Sequence, residues 1–199
     1  MKKDNHSTTT EFVQLALLVA IILIMAFTPI GYIKTLGLEI TLIVVPVAVG
    51  AVALGPKGGA VLGAIFGITS FIQSFTTPFG AMMLGINPVG TFITCVAARV
   101  LVGLFTGLIY KALRKKTGQN LSIYLASLSC PLLNTVLFMS FLILFFYQTD
   151  YIQGIVTVLG AANPFVFVIL FVGINGLVEA TACFVVGSAI LKVLLHIKR

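Results

Sequence analysis

From Ile40 to Phe71 the chain runs for 32 residues with a single charge, Lys57, and that charge sits in Gly55-Pro56-Lys57-Gly58-Gly59. Proline cannot continue a helix and glycine tolerates left-handed backbone, so the break predicts a tight corner between two apolar helices. A lone cation at such a corner suits an anionic membrane face. On either side stand Gly50, Ala51, Ala53, Gly59, Ala60, Gly63, Ala64 and Gly67. Small residues let helix backbones approach closely, which is how helices associate in lipid. The stretch Pro46–Phe71 reads as a close-packed membrane hairpin.

The remainder of the chain has to live in the same solvent. Of its 199 residues 59% are hydrophobic and 9% charged, against about 25% charged in a soluble domain. That leaves too few charges for a wet surface, and the chain is read as an integral membrane protein. The formal net charge of +7 does not point to nucleic acid, because the cations fall in short loops and not along one face. Cys95, Cys130 and Cys183 lie inside apolar runs, without metal-ligand or disulfide-framework spacing, and read as small core residues. The first apolar run lacks a small-residue cleavage site and is long enough to span, so no signal peptide is expected. Trp is absent, which leaves any interfacial aromatic belt to Tyr and Phe.

Taken in order, the chain divides into a polar segment 1–11, a membrane domain 12–195 and a basic tail 196–199. Six spans are expected: Phe12 to Pro29, Ile40 to Leu54, Gly58 to Thr76, Val89 to Leu113, Leu121 to Tyr147 and Asn163 to Leu195. The second is short for a crossing. Between them lie loops 28–39, 77–88 and 148–162 on one side, and the Lys57 corner and 114–120 on the other. With the N-terminus inside, 10 of the 12 Lys and Arg fall in inner segments. Lys34 alone lies in an outer loop, and Arg99 lies within a span. The positive-inside rule therefore places both termini in the cytoplasm. The fold class is an all-α bundle of six transmembrane helices, N-in and C-in. The two halves show no convincing repeat, which speaks against a carrier built from inverted repeats.

Arg99 and Glu179 are the charges deep in this bilayer. Counted from Pro88 and Pro164, they lie roughly 16 and 22 Å from the outer helix ends. A charge at such depth costs about 2.5–3.5 kcal/mol even on insertion scales, so both should face the bundle interior and find partners. Asn134 falls at similar depth on the fifth helix, and Asn175, four residues before Glu179, shares its helical face. Two readings stand. An Arg99–Glu179 salt bridge with amide hydrogen bonds would only hold the bundle together. An outward-facing pocket for a small polar solute would use the same groups as fixed donors and acceptors amid apolar walls. Gln73, Asn87 and Asn163 near the outer ends are candidate lid contacts, or else helix-end hydrogen bonds. Tyr32, Phe79 and Tyr151 are candidates to close over a ligand.

Nothing points to catalysis. His6 and His196 sit in terminal segments, and no Ser/His/Asp set, HExxH or glycine-rich phosphate loop occurs. No catalytic residue, metal site or cofactor is therefore expected. Ala16 and Ala20 form a small-xxx-small pair on the first helix, a candidate docking face. Three functional classes remain open: a binding subunit of an ATP-driven importer, an autonomous channel or proton-coupled carrier with Glu179 as relay, and a membrane assembly factor without a ligand.

These features together resemble the S components of energy-coupling-factor (ECF) transporters, the small membrane subunits that capture vitamins. The likeness rests on the six-helix count and topology, Ala16-x-x-x-Ala20, the Pro46…LGPKGG…Gly63…FGITSF hairpin, Arg99-x-Leu101-x-Gly103, Asn134-Thr135 and Asn175-Gly176-x-x-Glu179-Ala180. It implies a prokaryotic plasma-membrane location and docking of Ala16 and Ala20 on a membrane T component coupled to two cytoplasmic ATPases. It also implies a small-molecule vitamin held near the outer face by Arg99, Asn134, Asn175 and Glu179, and delivered when the subunit topples in the membrane. TPIGYI and LGPKGG…FGITSF look most like the pantothenate-type members. Arg99 supplies a physical reason, since a guanidinium can bind a carboxylate bidentately. Folate, riboflavin and hydroxymethylpyrimidine are the alternatives, although the lack of Trp argues against a stacking site for thiamine or flavin.

Overall fold

A computed structural model describes residues 5–29, 31–33 and 40–197. Lys2, Lys3, Lys34, Lys198 and Arg199, all used above to orient the chain, lie outside the described residues. Helix α1 (Asn5–Ala26) leads to a two-residue strand β1 (Tyr32–Ile33), which pairs antiparallel with β2 (Ile40–Thr41). Then come α2 (Val44–Ala53), α3 (Gly55–Gln73), α4 (Pro78–Ile86) and α5 (Pro88–Phe92). Alpha-helix α5 continues through a π-turn (Ile93–Ala97) into α6 (Ala98–Lys116), followed by α7 (Gln119–Phe146) and α8 (Asp150–Leu159). The chain closes with α9 (Pro164–Ala182), a second π-turn (Cys183–Gly187) and α10 (Ser188–Ile197). Thr9–Ala26, Gly55–Gln73, Pro88–Lys116, Gln119–Phe146 and Asn175–Leu194 are long and apolar enough to cross a membrane. The short α2 is buried within this all-α membrane bundle.

Three expectations are corrected. The second span, expected over 40–54, is a helix of only 10 residues, about 15 Å long and half the hydrocarbon thickness. Its first two residues are used in the β1–β2 bridge instead. The stretches 77–88 and 148–162, expected as loops, carry α4 and α8. Each begins with a threonine cap: Thr77 accepts from the Gly80 amide and Thr149 from the Ile152 amide. Pro78 then occupies the first turn of α4, where a missing N–H costs nothing.

The expected corner is one residue wide. Leu54 alone separates α2 from α3, and Gly55 takes φ +78°, a left-handed conformation that favours glycine. Beyond it α3 lies backbone to backbone on α6. A Cβ on Gly103 would stand 1.9 Å from the Gly59 carbonyl oxygen, and one on Gly63 would stand 2.1 Å from that of Arg99. Gly107 rests on Pro56 in the same way. The seam thus fixes where the Arg99 backbone sits, and puts the Lys57 corner beside the α6 terminus Arg114-Lys115-Lys116. Lys192 joins this basic end, hydrogen-bonded to Tyr124 Oη and stacked on its ring.

Packing separates the two ends of the bundle. Ile22, Ile43, Val44, Leu62, Phe66 and Val102 form one buried cluster among α1, α2, α3 and α6. Met83, Met139, Leu142, Phe146, Ile152 and Phe167 form another, beneath α4 and α8, at the end away from the basic residues.

Candidate functional site

The π-turn at 93–97 lies directly before Arg99. Widening the helix by one residue re-aims the side chains that follow, and such turns concentrate at functional sites. Here the Thr94 carbonyl, inside that turn, accepts from Arg99 Nη1 at 2.9 Å. The guanidinium carbon lies 4.4 Å from the Phe138 ring centroid and 5.4 Å from that of Phe66, within cation–π range of both. Arg99 is thereby held 6% exposed, and its Nε has no hydrogen-bond partner among the described residues.

Glu179, on α9 one residue turn before the second π-turn, is 4% exposed. Its Oε1 accepts from the Thr41 main-chain amide at 2.7 Å and its Oε2 from Asn134 Nδ2 at 3.3 Å. Among the described residues no ion pair joins Arg99 to Glu179, so the salt bridge weighed above is not formed. The nearest groups to each charge differ: the cation meets a carbonyl and two aromatic faces, and the anion meets the amide and hydroxyl of Thr41 and an Asn134 N–H. That is the arrangement a desolvated charge needs, because an isolated one is costly.

Both groups line one cavity of about 1200 Å³. Asn134, Asn175 and Gln73 line it as well, and Gln73 Nε2 also donates to the Ala26 carbonyl, tying α3 to α1. Asn87 does not belong to it. Its Oδ1 accepts from the Gly90 amide at 2.9 Å as the N-cap of α5, the helix-end hydrogen bond that was the other reading of this residue. Asn163 likewise caps α9 through the Val166 amide. Tyr32, Phe79 and Tyr151 lie on the lining, with the Phe79 and Tyr151 rings 6.1 Å apart. The cavity also takes in Thr41, Phe138, Asp150 and Phe171, none of which carried a signal of its own in the sequence. Phe138 stands one helical turn from Asn134, so the polar stripe on α7 was the clue to it.

The alanine pair lies elsewhere. Ala16 and Ala20 are exposed on α1 beside exposed Val13, Leu17 and Ile24. Among the described residues no group of three His, Cys, Asp or Glu could hold a metal ion. Cys130 and Cys183 both direct their thiols at the Val44 carbonyl, at 3.6 and 3.8 Å, inside the core.

The arrangement can bind and orient, with a cation, a carboxylate and amides fixed in an apolar surround. Comparison with known proteins agrees with that limit. The chain is 32% identical over 120 residues to the pantothenic acid transporter PanT of Lactococcus lactis subsp. cremoris, covering 55% of this chain and 59% of that protein. It is 35% identical over 111 residues to the pantothenate transporter PanT of Leuconostoc mesenteroides, covering 54% of this chain and 52% of that protein. The chain thus matches little more than half the length of these relatives. Residues 11–191 match the family described as ECF transporter, substrate-specific component. A multi-pass membrane protein with a cavity lined by buried polar side chains, the chain belongs to the substrate-specific components of the ECF transporters.

Proposed function

We propose that the chain captures pantothenate at the outer face of the membrane and passes it to an ATP-driven importer. The observation that carries this reading is the pair of charges on the cavity: Arg99, whose Nε has no hydrogen-bond partner among the described residues, and Glu179, which accepts the Thr41 amide and an Asn134 N–H and has lone pairs left, held apart amid apolar walls. Pantothenate is built to the same plan, with a carboxylate at one end, hydroxyls at the other, and an amide and geminal methyls between. Its carboxylate takes Arg99 in a charge-assisted contact. Its hydroxyls donate towards Glu179 and Asn134, and its methyl groups lie against Phe138 and Phe171. The names of the two relatives support this assignment. Gln73, Asn134 and Asn175 serve as further polar contacts.

The chain itself moves a ligand and transforms nothing. Ala16 and Ala20 dock it on a membrane T component, and two cytoplasmic ATPase subunits supply the energy. The basic end of the bundle faces the cytoplasm, so the cavity opens outward. Native mass spectrometry of the purified chain, followed by calorimetric titration with a vitamin panel, tests the reading. Saturable binding of pantothenate is the expected result. Binding of a different vitamin would keep the capture role and discard the ligand. Uptake by the isolated chain, collapsed by an uncoupler, would replace the reading with a proton-coupled carrier.

A further inference from the structure

We propose that Glu179 sets a charge limit on the ligand: the cavity admits a molecule with one anionic group and rejects the same molecule phosphorylated at its hydroxyl end. This rests on the capture reading above and adds the class of compound that is turned away. Among the described residues the lining holds one cation, Arg99, and two carboxylates, Asp150 and Glu179. A ligand carboxylate placed on Arg99 uses that one cation. Any further negative charge then faces Glu179 or Asp150 unopposed, in an apolar surround where charges are weakly screened.

The hydrogen bonds around Glu179 point the same way. The Thr41 amide and one N–H of Asn134 Nδ2 are already given to its two oxygens. Asn134 also presents Oδ1, a buried acceptor with no hydrogen-bond partner among the described residues. Beside Glu179 the cavity therefore offers a carboxylate and an unused amide oxygen. A hydroxyl supplies the missing O–H. A phosphate ester carries about −1.5 to −2 charges and accepts only, so it meets acceptors with acceptors. Helix N-termini can compensate for such charge, but of the two on the lining α8 carries Asp150 in its first turn, and α4 begins with Pro78, which has no N–H, and gives its Gly80 amide to Thr77 Oγ1.

The test is calorimetric titration of the full chain in detergent with pantothenate and with 4′-phosphopantothenate. The wild-type chain should bind pantothenate at least about 100-fold more tightly than the phosphorylated compound. Glu179→Gln keeps the size and an acceptor for the Thr41 amide while removing the charge, and should narrow that ratio by about tenfold or more. Should Glu179→Gln not fold, Asn134→Asp adds a second carboxylate at the same place and should widen the ratio. Phosphopantothenate binding within about threefold of pantothenate in the wild-type chain would overturn the proposal and leave the capture reading standing. An unchanged ratio in a folded variant would also overturn it, assigning the discrimination to shape. Failure of pantothenate itself to bind would overturn both.

Discussion

The main-chain amide of Thr41 donates to Glu179 Oε1 at 2.7 Å, across 138 residues of sequence. Thr41 ends the short strand β2, and Glu179 is a buried acid in the last membrane span. The bond therefore stitches the β1–β2 bridge to the cavity floor. It explains why α2 is so short: the residues that would have begun it are pulled into a strand, and extended backbone exposes an N–H that a helix interior would have used.

Removing that N–H should cost about 1.5–3 kcal/mol, the range for a hydrogen bond to a charged group. Thr41→Pro does so, and it should lower the melting temperature by several degrees and weaken ligand binding. Thr41→Ala keeps the amide and should cost clearly less. Thermal unfolding of the two variants side by side checks the assignment. Equal losses would show that the side chain matters and the main-chain bond does not.

The α3–α6 seam leads to a second expectation. A methyl group at Gly63 would stand 2.1 Å from the Arg99 carbonyl oxygen, and no flexible side chain is there to yield. Gly63→Ala should therefore cost about 1–3 kcal/mol through overpacking. It should also weaken ligand binding, because it displaces the backbone that carries the guanidinium. Gly85→Ala and Gly173→Ala meet nothing within 4 Å and serve as controls. Unchanged stability in Gly63→Ala would remove the seam as the element that positions Arg99.

What could be read from the residues alone was whatever stood out against an apolar background. Arg99, Asn134, Asn175 and Glu179 were visible as polar exceptions at matching depth, and the Lys57 corner as a break in an unbroken run. Depth along a helix says nothing of azimuth, however, so the residues alone left open whether Arg99 and Glu179 pair; each is met by its own partners. The Thr41 amide was invisible because every residue has one. The two π-turns were hidden in ordinary apolar sequence. Helices α4 and α8 were masked by their own caps: Thr77-Pro78 and Thr149-Asp150 read as loop chemistry, and it is the chemistry that starts a helix.

Asn87 separates a capping role from a binding role. Losing the bond from the Gly90 amide should cost about 1 kcal/mol, and Asn87→Ala should melt slightly lower. Its ligand affinity should match the wild-type chain, since Asn87 is not on the cavity lining. A tenfold or greater loss of affinity without unfolding would return it to the site.

Bulk on the exposed face of α1 should act on assembly alone. Ala16→Trp combined with Ala20→Trp places two large rings where close backbone approach is needed. Neither alanine borders the cavity. Co-purification with the T component and the ATPase subunits should fail while calorimetric affinity for the vitamin is retained. Normal assembly and uptake by the double variant would mean that another face docks.

Arg99 carries the sharpest expectation. Its Nη1 bond to Thr94 and its stacking on Phe138 and Phe66 hold the group in place, and under the proposed function its charge is what receives the ligand carboxylate. Arg99→Ala loses both, and a charge-assisted contact of about 1.5–3 kcal/mol corresponds to a roughly 10- to 150-fold fall in affinity. Arg99→Lys keeps the charge but not the planar, stacking fork, and should fall between the two. The comparison with pantothenol, which has a hydroxyl where pantothenate has a carboxylate, removes the ambiguity of a damaged fold. A folded Arg99→Ala chain should bind pantothenol as the wild-type chain does while its preference for pantothenate disappears. Should the preference survive, the carboxylate is read by some other group. Should both ligands be lost from a chain that still melts cooperatively, Arg99 shapes the cavity and does not hold the anion.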